Sequence, residues 1–412
     1  MSVYAIHFKT KSINMKTTKL SLLVMGLAFI TALASCSKSE STKNITPVIP
    51  PSHPIAAGNI SGFVKGTLLT GNTYTVTSDI TVKKGDTLVA QPGAIVIAKN
   101  NSQITVDGVL QILGVQGNPV LFNSDTKSPG SWGGLACDSA QSVTIKWARV
   151  DNAGGADPTG SPRKSISVSV PITVDIEDSW VTNGQDDEIS IRAAAKITVL
   201  RNTIIASGST DGEAINIKDG ATGDIAYNVI FSQAGTGVKL ETNATVPFPQ
   251  TVVNVYNNTM VSCGWRRGAA EPGRGVSIGV NAIGHVYNNI MVNNYQGFEL
   301  FTDGDTKNTT YGNNLFFATA ATFVDKTVTP NVIVNLAANF YPSDGVGKAQ
   351  ASDLINIDPK FMTFDGAFAL GNGLPTTNDF HLQSGSPTLG KGNATYNADL
   401  GAYTSDGKGN KH

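Results

Sequence analysis

Short runs of alternating apolar and polar residues recur along the chain. SISV (165–168), EISI (188–191), AINI (214–217), GVKL (237–240), GVSI (275–278) and GFEL (297–300) each carry apolar side chains at their second and fourth positions. Period-two alternation predicts strands with those residues facing a core and the first and third facing outward. The inward set is Ile166 and Val168, Ile189 and Ile191, Ile215 and Ile217, Val238 and Leu240, Val276 and Ile278, Phe298 and Leu300. Outside the N-terminus no long segment shows the i, i+3, i+4, i+7 apolar stripe of a helix.

A second pattern interleaves with the first. NVYNNTMV (254–261) returns as HVYNNIMV (285–292). Aligned on Asn258, weaker copies place Asp178, Asn202, Asn228, Asn289 and Asn314 in one column, at spacings of 24, 26, 30, 31 and 25 residues. Such a period marks a solenoid, and units this short built from strands mark a β-helix, each turn stacked on the last at about 4.8 Å. A tight corner between strands favours asparagine, which tolerates left-handed backbone geometry, and stacked asparagines can bond to one another along the axis. The column is therefore expected to be structural.

Composition agrees. Of 412 residues only 15% are charged and 43 are glycine, which suits many short strands joined by tight turns. The first 36 residues differ: from Met15, a plausible true start, Lys16 and Lys19 precede an apolar run from Leu20 to Leu33, the pattern of a secretory signal. Leu33-Ala34-Ser35-Cys36 resembles a bacterial lipobox, with Cys36 the lipidated residue. Residues 37–57 are polar and Pro-rich and predict a tether; residues 404–412 predict a disordered tail. Removing residues 1–36 leaves 26 basic against 31 acidic residues, a charge of −5, so nucleic acid is not an expected partner. Cys137 and Cys263 are expected as buried thiols rather than a disulfide.

Three regions carry a family resemblance. They are YTVTSDITVKKGDTLVAQPGAIVIAKNNSQITVDGVLQILG (74–114) with its continuation, the aligned central coils, and the closing stretch INIDPKFM to DLGAY (355–403). Together they resemble the right-handed parallel β-helices of the pectate lyase-like superfamily, in particular lipoproteins of that kind from Bacteroidetes. The resemblance implies an all-β fold: one single-stranded solenoid of about ten coils over residues 58–403. It also implies a monomeric lipoprotein of the cell envelope, held to the outer membrane by its lipid and handling polysaccharide.

Which chemistry the solenoid carries is less defined. Histidine is scarce, and no spacing suggests zinc or a Ser-His-Asp set. NGQDDEISI offers Asp186 and Asp187 as an acid pair, similar in position to the paired aspartates of polygalacturonases, although the Gly-His-Gly turn of that family is missing. A lyase instead needs a group that neutralises a uronate and a base that takes its C5 proton. Outward positions of the strands supply Lys218 and Lys239 as candidate catalytic groups, Glu241 as a candidate calcium ligand, and Arg192 and Glu299 as candidate substrate contacts. CGWRRGAAEPGRG (263–275) interrupts the strand pattern, adding Arg266 and Arg267 as catalytic candidates and Trp265 and Arg274 as sugar-gripping ones. The geometric expectation is that this loop lies beside the Lys239 strip. An anionic, uronate-containing glycan cut by β-elimination is the favoured expectation. The alternatives are a non-catalytic carbohydrate-binding or adhesive surface protein, and a glycoside hydrolase using Asp186 and Asp187. Calcium is the one cofactor considered; no cofactor motif demands it.

Overall fold

The corner asparagines explain the fold. In the computed structural model, which describes residues 53–206, 211–245, 247–366 and 377–412, each coil runs through three short parallel strands. The first face is a ladder of ten strands, from Gly66–Leu68 to Thr310–Gly312. The second includes Val229–Phe231, Thr259–Val261 and Ile290–Val292, and ends at Leu354–Ile355. The third holds the alternating runs, Ile166–Val168 through Gln296–Leu300. Two long strands, Gly58–Phe63 and Thr73–Val82, bend across the second and third faces at the N-terminal end. The architecture is the right-handed parallel β-helix expected from the repeat.

All twelve inward residues of the alternating runs are buried. Registers such as Ile189↔Ile215↔Val238↔Val276↔Phe298 stack them in columns, each fully buried aliphatic side chain contributing roughly 1.5–3 kcal/mol. Cys137 and Cys263 are free, buried members of this core. First positions of the runs, and the third positions Ser190, Asn216, Ser277 and Glu299, are buried against the expectation that they face outward. Ser165, Glu188 and Ala214 are buried, and a Cβ on Gly237 would lie 2.7 Å from the Gly275 carbonyl oxygen. The chain tightens there as it enters the third face, leaving no room to splay outward.

The two adjacent asparagines divide the work. The second forms the ladder: Asn258 donates its backbone and side-chain N–H groups to Asn289 Oδ1, both at 3.0 Å. Asn202 makes the same pair of bonds to Asn228, Asn228 to Asn258, and Asn289 to Asn314. Each side-chain amide also donates to a carbonyl of the preceding coil, as Asn258 does to Ile225 at 3.0 Å. All five asparagines are wholly buried. The column begins at Ser179, not at Asp178, because Trp180 pairs with Thr203 and so puts Ser179 opposite Asn202.

The first asparagine takes the left-handed turn. Asn257, Asn288 and Asn313 have φ of 53°, 59° and 51°. Their side chains hold the closing segment: Asn257 Nδ2 donates to Asp399 O at 2.8 Å, Asn288 Nδ2 to Asn397 O at 3.0 Å, and Asn313 Nδ2 to Lys391 O at 3.1 Å.

Two boundaries change. His53 and Ile55 already pair with Thr67, so the first coil reaches into the expected tether, while Cys36 and residues up to 52 lie outside the described residues. Residues 404–412 are packed rather than disordered. Asn410 Nδ2 donates to Asn202 O at 3.1 Å, and the His412 ring stacks on Trp180 at 3.7 Å.

Replacing Asn258 with alanine removes the oxygen that accepts both Asn228 N–H groups and the side-chain bonds to Asn289 and Ile225, so stability should fall by about 1–3 kcal/mol. Urea unfolding of wild type and Asn258→Ala checks this; coincident midpoints would count against a working ladder.

Candidate functional site

Among the described residues, four buried carboxyls, Asp187, Glu188, Glu213 and Glu299, lie on the third face or at its entry. One coil above the next, Asp187 and Glu213 occupy equivalent positions two residues before Ile189 and Ile215. Both are nearly buried, at 3% and 4% exposure. Asp187 Oδ1 accepts the Glu213 backbone N–H at 3.0 Å, and Oδ2 accepts Asn216 Nδ2 at 2.9 Å. Burial, then the Glu213 charge, push the Asp187 carboxyl up to about 6.

Lysines and arginines close over this pair. Arg267 donates to Glu213 Oε1 at 2.9 Å and to Glu271 at 3.1 Å, and also binds Asp211. Lys239 Nζ lies 3.2 Å from Glu241 Oε1 and 4.0 Å from Glu213 Oε1; Lys218 Nζ lies 3.2 Å from Glu241 Oε2. The arginine loop does lie beside the Lys239 strip, since both converge on Glu213. Asp211 and Glu271 form an exposed rim over the buried pair.

Several expected contacts stand elsewhere. Trp265 is buried at 4% exposure, its indole N–H given to Asn293 O at 2.7 Å and its ring packed on Tyr295 and Phe323. It anchors the loop under the hairpin of Thr322–Asp325 and Val332–Asn335 and offers no face to a sugar. Arg266 binds the Ser232 hydroxyl and carbonyl, and burial lowers its guanidinium to about 10. Glu299 is wholly buried against Arg274, which also packs on Phe301, so neither presents itself as an open contact. Asp186 turns away from Asp187 to Lys164 at 2.9 Å, which splits the adjacent acid pair. Arg192 is half-buried beside Lys218 in the next coil.

Glu241 does not suit calcium. Its oxygens face two ammonium groups and Asn243 Nδ2 at 3.0 Å, a donor set that already neutralises the carboxylate. Among the described residues no group of three or more His, Cys, Asp or Glu side chains could hold a metal ion.

Glu213 is the residue that sequence reading missed. Its signal was present: GEAINI sits in register with DEISI only when the buried pairs Ile215–Ile217 and Ile189–Ile191 are superposed, which sets Glu213 over Asp187. Glu188 belongs to the acidic run of Asp186 and Asp187, expected on the surface. Wholly buried, it accepts Ser165 Oγ at 2.7 Å and Gly184 N at 2.7 Å, and burial pushes its carboxyl up to about 7.

Residues 58–156 match the family model described as a pectate-lyase like beta helix domain, and residues 133–316 match the one described as a right handed beta helix region. No curated protein and no solved structure matches the chain. The two matches support the pectate-lyase-like superfamily.

The raised Glu188 carboxyl fixes a sign. Its stabilising contribution is complete below the ordinary value of 4.5 and is lost as pH rises through about 7, a change of at most about 3 kcal/mol. Wild-type melting temperature should therefore fall across that interval, and Glu188→Gln should flatten the fall. Parallel melting curves for the two proteins would contradict the assignment.

Proposed function

We propose that this right-handed β-helix of the pectate-lyase-like kind is a carbohydrate-active protein that binds a polysaccharide across its third face and hydrolyses it with Asp187 and Glu213. The observation that carries this reading is the buried carboxyl pair in register on adjacent coils, one member lifted to about 6. A carboxyl with that affinity for its proton can still donate it near neutrality. Asp187 would give its proton to the leaving glycosidic oxygen. Glu213, held by Arg267 and within hydrogen-bond reach of Asp187, would stabilise the positive charge developing at the anomeric carbon, and the water that adds there would release its proton to solvent. Each of Lys164, Lys218, Lys239, Arg267 and Arg274 ends on a carboxylate, so the strip has little unpaired positive charge for a polyanion. That favours a glycan recognised mainly through its hydroxyls.

Elimination from a uronate is the second reading, supported by Lys218 and Lys239 lying on the same strip. It is weaker because Lys239 is ion-paired with Glu213 and Glu241 as a cation, which has no lone pair with which to take a proton. Under either reading the lipobox at Cys36 supports a lipid anchor in the cell envelope.

The test is an assay on neutral and uronate polysaccharides, following reducing ends and the absorbance of unsaturated product separately. Reducing ends alone are expected, with an alkaline limb near pH 6 from Asp187. Asp187→Asn should lower turnover by at least about 100-fold, and Lys239→Ala far less. Unsaturated product, lost in Lys239→Ala and kept in Asp187→Asn, would overturn hydrolysis in favour of elimination. Binding without any product would leave a carbohydrate-binding protein.

A further inference from the structure

A second site lies away from the acid pair, at the corner between the first and second faces. There a cavity of about 590 Å³ is lined by Trp147, Asp178, Arg201, Tyr227 and Tyr256, with Lys408 and Lys411 on the opposite wall. Small-molecule sites fall in about this size range.

The corner column gives this cavity its significance. Trp147, Asp178, Arg201 and Tyr227 stand where later coils carry Asn257, Asn288 and Asn313, and all seven are in the left-handed region. That conformation is costly for a residue with a Cβ, and least so for Asn and Asp, which bond locally. Bulky Trp147, Arg201 and Tyr227 therefore occupy the strained position beside the cavity, whereas Asn257, Asn288 and Asn313 bind the closing segment through their side-chain amides. Trp147 is half-buried, edge-on to His412 at 5.4 Å and 6.2 Å from Trp180, and Tyr256 packs on Tyr227 and Tyr396, so the ring surface these contacts leave uncovered is what lines the cavity. The charges of Asp178 and Arg201 are held in an adjoining network: Arg201 binds Asp178 at 2.7 Å and also Glu177, which Lys146 pairs at 2.9 Å. Flat aromatic faces beside fixed, mutually neutralised polar groups suit a pyranose, which presents apolar C–H faces and a rim of hydroxyls.

The geometry points to a saccharide-binding subsite in this corner groove, with Trp147 and Tyr256 as ring platforms and the residue 407–411 segment as the outer wall. This inference rests on the carbohydrate reading above, and it adds a non-catalytic holding point that captures polymer outside the acid pair.

Titration of soluble polygalacturonate and a soluble neutral β-glucan, read by tryptophan fluorescence and by affinity electrophoresis, tests it. At least one polymer should perturb wild-type fluorescence, and Trp147→Phe should remove most of the change while retaining binding. Trp147→Ala should weaken polymer retention about tenfold while leaving Asp187-dependent turnover of short oligosaccharides unchanged. If Trp147→Ala fails to fold, the fluorescence comparison of wild type with Trp147→Phe still decides. Polymer binding with undiminished retention in Trp147→Ala, or an unaltered fluorescence change in Trp147→Phe, would overturn the subsite and leave the third-face reading standing. A wild type that binds neither polymer and cuts neither would overturn both.

Discussion

A pair of hydrogen bonds from one asparagine to the next sets the geometry on which every other feature depends. Asn202, Asn228, Asn258 and Asn289 each give backbone and side-chain N–H groups to a single oxygen one coil above, and each side-chain amide reaches back to a carbonyl below. A shift of one residue would break three bonds at once inside a wholly buried corner. Buried polar groups left unpaired cost more than their pairing gains, so the corner acts as a register lock. The apolar columns resist a one-residue slip as well, since it would turn every inward side chain outward; a two-residue slip would keep Ile and Val inside, and the corner is what forbids it.

Register at the corner propagates around each coil. Because Asn202 and Asn228 are locked, Ile189 stands under Ile215, and Asp187 stands under Glu213. Two carboxyls that are 26 residues apart in sequence thus become neighbours in a buried setting, where burial and like charge raise one of them. The surrounding lysines and arginines are drawn into pairing with the acids. That pairing explains why a strip rich in cations offers so little free positive charge.

The fold was largely legible in the chain, because a solenoid repeats its signals: alternation named the inward residues, and the NVYNN echo named the corner. The division of labour between Asn257 and Asn258 was not legible, since both residues can turn and both can bond; only the closing segment, folded back from residues 391–401, separates their roles. The candidate site was half legible. Lys218, Lys239, Glu241 and Arg267 do meet, as strand phase and loop position implied. Glu213 escaped notice because the run AINI begins one residue after it. Trp265 was misjudged because a lone aromatic in a loop looks exposed in sequence, whereas here the hairpin ending at Asp325 covers it; Asp325 takes the Ala269 N–H at 2.7 Å and the Tyr295 hydroxyl at 3.0 Å.

Hydrogen exchange at the asparagine side chains tests the register lock most directly. In an NMR exchange experiment, the Nδ2 protons of Asn228 and Asn258 should exchange only through global unfolding, with the same free energy as the core amides of Val255 and Ile230. Exchange of those side-chain protons at the rate of an exposed asparagine, while the core amides stay protected, would contradict the account.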